Sequence, residues 1–280
     1  MEDFRKTAEA AAEILKSVPV REAYSDTRPV VRSAVTVGAI CADIVSGLLA
    51  RVAAKVWGFD CIKEYTDTRL AELLHDTPQE CLQPPAPNVA GPTIEALRWV
   101  GDEATLREMY AKLLAVSMDR RISSRAHPAF VEIIKQLTPD EARLLRRFAG
   151  PGPFPLVDIG ARVKESEGNL RGGIIVRDNI SLLGVQTGCQ FPDQCPVYIR
   201  NLCRLALIEI PFNEHYPDPA TYQELEEHAY VQAQVRTIGS SGKYRAEIKR
   251  KALRLTALGR DFCAICVSSG AAESGDDAPR

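Results

Sequence analysis

Neither sign of charge dominates this chain: 37 acidic and 35 basic residues leave a net charge of -2 over 280 residues. No global basic field draws it to nucleic acid or anionic lipid, so any such binding must come from a local patch. Cysteine is sparse, at eight residues, well below the density of a secreted disulfide scaffold. The opening MEDFRKTAEAAAEILK sets acids beside bases and lacks the apolar core of a signal peptide, so reduced thiols and a cytoplasmic location are expected. Long apolar runs are missing where one is most needed. Residues 28–59 are rich in Val, Ala and Gly, yet their longest uncharged run is Ser33–Ala42 and Asp43 follows it. A bilayer span needs about 20 mainly apolar residues, and a central aspartate costs about 3 kcal/mol. Catalytic signatures are absent as well: the sequence has no HExxH, no GxSxG, no paired zinc motif and no phosphate loop. No metal or cofactor is expected.

What is present is an ordinary globular composition, 45% hydrophobic and 26% charged, on a chain long enough for two compact units. An alanine-rich amphipathic helix is expected over residues 2–16, and a helix with an apolar face over 30–57, suited to a partner, to a second copy or to a membrane surface. Five prolines between Pro78 and Pro92 predict extended segments rather than helix, with Thr93 capping the helix that follows. Leu106, Met109, Tyr110, Leu113, Leu114 and Ser117 fall at helical spacing and predict a core face. Thr138-Pro139-Asp140-Glu141 is a capping box with proline at the first helical position, which predicts a helix start.

Gly150-Pro151-Gly152-Pro153-Phe154-Pro155 is the strongest punctuation, and beyond it β-like runs (GGIIV, LALIEI) mix with helices. The expected organisation is a helical domain over 1–137 with a proline-rich segment at 78–92, then a winged-helix-like α+β domain over 138–267 broken at 150–155. Residues 268–280 lack core formers and are expected to be a disordered tail. The fold class is therefore mainly α with a smaller α+β part. A helix at 196–205 running into a strand at 206–210, with a later basic strand returning, is the basis of the winged-helix expectation. A single helix is expected near 221–237.

Candidate binding residues cluster in that second part. Lys243, Arg245, Lys249, Arg250, Lys251 and Arg254 place six bases in twelve residues, opposed only by Glu247. With Arg200 and Arg204 of the helix before the first strand, they form the expected nucleic-acid contact, salt-sensitive and sequence-independent. Tyr198 and Asn201 share that helix. The plain alternative is that basic residues protect an edge strand from aggregation. His127, with Asp119 and Glu132 nearby in sequence, offers acid–base chemistry on paper, but its place before Pro128 is that of a helix cap. Cys263-Ala-Ile-Cys266 has no second pair to complete a zinc site, so the cysteines read as buried thiols.

The run VAGPTIEALRWVGDEATLREMYAKLLAVSMDRRISSRAHPAFVEIIKQLTPDEARLL, with KVWGFDCIKEYTDTRLAELLHDTPQECLQPP before it and VYIRNLCRLALIEIP after it, resembles the Abi-alpha family. The resemblance covers roughly residues 45–265 and rests most on Leu106–Leu114, Met118-Asp119, the AHPAFVEIIKQL block and the acidic turn after it. It implies bacterial origin and anti-phage defence of the abortive-infection type, and it brings no catalytic motif. A phage component or nucleic acid is the expected partner of such a sensor or effector. A constitutive winged-helix DNA-binding regulator is the alternative, and a nuclease without a recognisable motif is the third.

Overall fold

The computed structural model describes residues 56–100, 103–164, 170–240 and 242–268. The helix expected over 2–16, residues 30–55 of the apolar stretch and the tail beyond Ser268 lie outside them. Helices α1 (Phe59–Leu73), α2 (Pro87–Val100), α3 (Ala104–Met118), α4 (Ala129–Lys135) and α5 (Pro139–Phe148) come first. Strands β1 (Pro155–Lys164) and β2 (Leu170–Ile180) form a hairpin, followed by α6 (Leu183–Gln186), α7 (Cys195–Arg204), β3 (Ile208–Glu209), α8 (Ala220–Glu227) and α9 (Ala229–Ser240). The described chain closes with β4 (Tyr244–Ala252), β5 (Arg254–Leu255), α10 (Ala257–Phe262) and a π-helical turn, Cys263–Val267. It is mainly helical, with a small antiparallel sheet.

Helix α3 is the hub because it is buried nearly all round: Leu106, Met109, Tyr110, Leu113, Leu114 and Ser117 are covered, and so are Ala111, Lys112 and Ala115. A single hydrophobic cluster runs from Ile62 through α2–α5 to Leu156, α7 and the last turn at Val267. Lys112 ties the hub to that turn by donating to the Val267 carbonyl at 2.9 Å, a cation placed at the negative end of a helix. Gly259 lets α10 press onto the chain at Leu207, where a Cβ would overlap the Leu207 carbonyl.

The proline-rich segment departs from expectation. Residues 82–86 are non-helical, but α2 begins at Pro87 and continues through Pro92, so Thr93 lies inside the helix rather than at its cap. An internal proline costs about 3 kcal/mol through a lost hydrogen bond and a ring clash. Burial of Val89, Thr93, Ala96 and Leu97 on one side of α2 offsets a cost of that size. Pro87 meanwhile occupies the first helical turn, where its missing N–H has no partner to lose.

Strand β1 has no counterpart in the sequence-based expectation, yet it is the centre of the sheet, whose order is β2-β1-β4 with both pairings antiparallel. Leu156, Val157, Ile159 and Ala161 are all buried, so the strand is covered on both faces and loses the alternation by which strands are read. Val157 and Ile159 face a second cluster with Tyr222, Leu225 and Val231, contributed by α8 and α9. The helix expected over 221–237 is two helices broken at His228, whose ψ is 136°. The break lets Tyr222 and Leu225 anchor one helix and Val231 the other.

The capping box at the start of α5 is formed: Thr138 Oγ1 accepts from the Glu141 N–H at 3.2 Å, and Glu141 Oε2 accepts from the Thr138 N–H at 2.7 Å. Asp140 beside it is only 3% exposed. Its carboxylate accepts from the Gln190 and Phe191 N–H groups at 2.8 and 3.0 Å, from the Tyr198 hydroxyl at 3.0 Å and from Arg143. Burial works to raise its pKa, but these four donors outweigh burial and hold the carboxyl below the usual range. A folded pKa below the unfolded one gives stability that is complete above the ordinary carboxylate value and is lost as pH falls through the lowered one. Asp140→Asn is expected to cost about 3 kcal/mol at neutral pH and to flatten the acid limb of the stability profile. Urea unfolding of both proteins at neutral and acid pH measures this, and an equal difference at the two pH values would show that the carboxylate charge plays no part.

Candidate functional site

The basic residues singled out in the sequence gather on and around the three-stranded sheet, and β4 carries most of them. Its alternation sorts them. Ile248 packs into the cluster under α8 and α9, so even-numbered residues of β4 face those helices. Odd-numbered residues face the other side, where Asp158, Gly160 and Arg162 of β1 lie opposite Lys249, Glu247 and Arg245 in register. A shallow recess on that side is bounded by Asp158, Arg162, Ile175, Glu247 and Lys249 and floored by Gly160 and Gly173.

One group of these bases is paired with acids of the protein itself. Between Val157 and Ile159 the β1–β2 pairing slips by one residue, a bulge that sets Asp178 and Asn179 against Asp158. Asn179 adopts φ 54°, a left-handed conformation that asparagine tolerates better than most residues. This turns its N–H onto Asp158 Oδ1 at 2.8 Å. Lys251 Nζ then donates to both Asp158 oxygens, at 2.8 and 3.0 Å, and to Asn179 Oδ1 at 2.5 Å. Asp158 and Asn179 are 5% and 7% exposed, so Lys251 neutralises a buried carboxylate. Arg250, on the opposite face, grips Glu226 of α8 with two bonds of 2.6 and 2.9 Å and stacks over the Tyr222 ring. Arg254 reaches Glu209 at 2.7 Å and Glu214 at 3.1 Å.

Helix α7 is engaged in the same way. Arg200 donates to both oxygens of Asp178 at 2.9 Å, Asn201 to Glu141 Oε1 at 2.7 Å, and Arg204 to Gln136 Oε1 at 3.0 Å and to Asn201. Tyr198 is the donor to Asp140 already described, and the proximity of that carboxylate, after burial, raises its hydroxyl pKa further. All four polar side chains singled out on this helix therefore bond within the protein.

Lys243, Arg245 and Lys249 form the other group. All three are exposed, and among the described residues none has a carboxylate partner. Arg245 stands directly opposite Arg162 in the β1–β4 ladder, an unfavourable like-charge pair. The single acid between them, Glu247, goes to Arg162 at 2.5 Å. Lys249 has only the exposed ring of Phe212, 5.5 Å away. The surface is thus an anion-seeking row of three cations beside an internally neutral network. Counting bases along the sequence does not separate the two groups; the separation follows from partners far away in the chain.

The remaining candidates resolve into structural roles. His127 Nδ1 accepts the Ala129 N–H at 3.1 Å and so caps α4. Cys189, Cys195, Cys263 and Cys266 are buried, and burial pushes the Cys195 and Cys263 thiols up to about 12, far from reactive thiolates. Among the described residues no three His, Cys, Asp or Glu side chains are grouped to hold a metal ion, and no helix is long and apolar enough to cross a membrane.

Residues 60–266 match the family model described as abortive infection alpha. The chain belongs to the abortive infection alpha family. The match takes in α1 to the last helical turn and so includes the whole sheet and its cations. No curated protein matches this abortive infection alpha chain. Among solved structures it is similar to an uncharacterized protein from the hydrocarbon-degrading marine bacterium Alcanivorax borkumensis SK2, at 20% identity over 50% of this chain and 96% of that one, with a TM-score of 0.33.

The two groups of bases are expected to behave differently when truncated. Lys251→Ala leaves the buried Asp158 uncompensated and is expected to lower unfolding stability by about 3 kcal/mol. Arg245→Ala and Lys249→Ala are expected to stay within about 0.5 kcal/mol of the parent. Denaturant titrations of the three variants check this, and a similar loss in all three would contradict the division.

Proposed function

We propose that this protein acts in abortive-infection defence against phage, by binding rather than by catalysis, with the sheet surface at Lys243, Arg245 and Lys249 as its contact. The family match over residues 60–266 carries the defence reading. The row of cations without carboxylate partners supports binding. A phage component or a nucleic acid is the expected ligand, recognised by its negative charge. The effector half of the proposal assigns residues 30–57 to contact with a partner or a membrane surface, and the helices expected in the N-terminal part to self-association.

A winged-helix DNA-binding regulator is the second reading. It is supported by the passage from α7 straight into β3 and by the return of β5 to pair antiparallel with β3, Ile208 opposite Leu255. In that reading Arg200 and Arg204 face DNA only by exchanging their present bonds for phosphate contacts.

Phage plating with and without the expressed chain, with survival of infected cells followed in parallel, tests the first reading. Reduced plaque numbers with early death of infected cells are expected. Charge reversal by Lys243→Glu, Arg245→Glu and Lys249→Glu is expected to restore plating at unchanged protein level. Unchanged plating by the parent chain would overturn the defence reading. Duplex binding whose salt slope falls with the same reversals, in a chain that gives no protection, would establish the regulator.

A further inference from the structure

Among the described residues, no strand pairs with the outer edge of β4 where the cations stand. The pairing of β1 with β4 fixes which backbone groups reach it. Leu253 N donates inward to the Phe154 carbonyl at 3.2 Å, whereas Ala252 N donates outward to the Glu214 carbonyl at 3.1 Å. Odd-numbered residues of β4 therefore turn their N–H and C=O groups to β1, and even-numbered residues turn theirs away. β4 ends the sheet on this side. Beyond Ala252, the outward groups of Arg250, Ile248 and Ala246 have no hydrogen-bond partner among the described residues. A recess bounded by Asn213, His215, Glu226 and Ile248 opens beside them, and another beside Arg245 and Ala246 continues along the same edge.

Charge along this edge has one unbalanced sign. Glu226 is held by Arg250 and Glu247 by Arg162. Arg245 and Lys249 lie on the odd-numbered face four residues apart, with Lys243 just before the strand, and among the described residues all three lack a carboxylate partner. An added strand running beside β4 sets alternate side chains over that face, at the spacing that joins Arg245 to Lys249. We infer that the open edge of β4 takes an extended acidic peptide segment of a protein partner as a further strand. Its backbone pairs with Ala246, Ile248 and Arg250, and two of its acids, four residues apart on one face, lie over Arg245 and Lys249.

A row of alternating N–H and C=O groups matches a peptide backbone and offers nothing in register with phosphates, which favours strand addition over nucleic acid. The inference deepens the binding reading above and rests on it for biological role. Peptide addition is measured on the purified chain, however, so the two stand or fall separately.

The probe is a fluorescein-labelled decapeptide of alternating Glu and Val, followed by anisotropy on the full chain. It has two derivatives, N-methylated on every Val or on every Glu. In antiparallel addition the Val N–H groups face β4, and in parallel addition the Glu N–H groups do. Methylation of one set alone is expected to weaken binding at least about tenfold, with the other set tolerated. Replacing Glu by Gln in the peptide, or Arg245→Glu with Lys249→Glu in the protein, is expected to weaken it by a similar factor. Ala246→Pro removes one outward N–H without touching the β1 ladder and is expected to reduce peptide affinity while thermal unfolding stays close to the parent. If Ala246→Pro unfolds, the methylated peptides still decide. Equal binding by both methylated peptides, no binding up to millimolar peptide, or capture of duplex DNA in place of peptide would each overturn the inference. In the last case the cations contact phosphates; with no ligand at all they serve only to keep the edge from self-pairing.

Discussion

The structure depends on one buried carboxylate. Asp140 sits in the first turn of α5, where the helix dipole favours negative charge, and gathers donors from two other places in the chain: the adjacent Gln190 and Phe191, and Tyr198 of α7. A carboxylate suits this position because it offers two oxygens to two backbone N–H groups at once. Those N–H groups belong to the segment between the β-hairpin and α7, so Asp140 fixes where the chain re-enters the helical core after the sheet. Tyr198 then sets the rotation of α7. With α7 so placed, Arg200 meets Asp178, Asp178 meets Asn179, and Asn179 and Asp158 receive Lys251 of β4. A polar chain thus leads from the helical core to the edge strand. Such networks are stabilising only when complete, and here the part ending at Tyr198 and the part beginning at Arg200 are joined by the backbone of α7.

That chain explains why the basic segment is less basic in space than in sequence. Arg250, Lys251 and Arg254 lie within five residues of one another, yet each meets an acid brought by a different element: α8, the centre of β1, and the β3 region with the loop after it. Bonds of this kind bind the sheet to its surroundings and leave little charge for a ligand. Lys243, Arg245 and Lys249 stay exposed because, among the described residues, no acid is placed to pair with them: Asp158 is taken by Lys251 and Glu247 by Arg162. The group of bases without a carboxylate partner among the described residues is therefore smaller than the sequence suggests and more sharply defined.

Local rules were legible in the sequence wherever a few neighbouring residues settle the outcome. Thr138 and Glu141 form their box, His127 caps α4, and the spacing from Leu106 to Ser117 marks a buried helix face. The resemblance quoted on residues 45–265 agrees with the family match over residues 60–266. What local rules missed has a common cause in distant partners. Pro92 lies inside α2 because burial of the helix outweighs its local cost. β1 hides as a strand because two separate clusters cover its faces. The break at His228 follows from the shape of the sheet beneath α8 and α9. Lys251 reads as a phosphate ligand until Asp158, 93 residues away in sequence, is seen to hold it. The resting partners of Arg200 and Arg204 were equally out of sight.

An open edge strand is a hazard as well as an opportunity, because any extended chain of matching character adds to it. The three cations bear on both sides of that problem. A second copy arriving edge to edge brings the same unpaired row and doubles an unbalanced positive charge, whereas an acidic strand cancels it. Discrimination of this kind combines an attraction for one partner with a repulsion against another, and it needs no catalytic group. It also explains why neutralising Arg245 from within would be self-defeating: an internal acid in reach of it would satisfy the charge and remove the selectivity. The sheet instead places its one nearby acid, Glu247, on Arg162 and leaves Arg245 facing solvent. Under the proposed strand addition, that arrangement would make recognition conditional on an acidic segment becoming available, while the core set by Asp140 stays as it is.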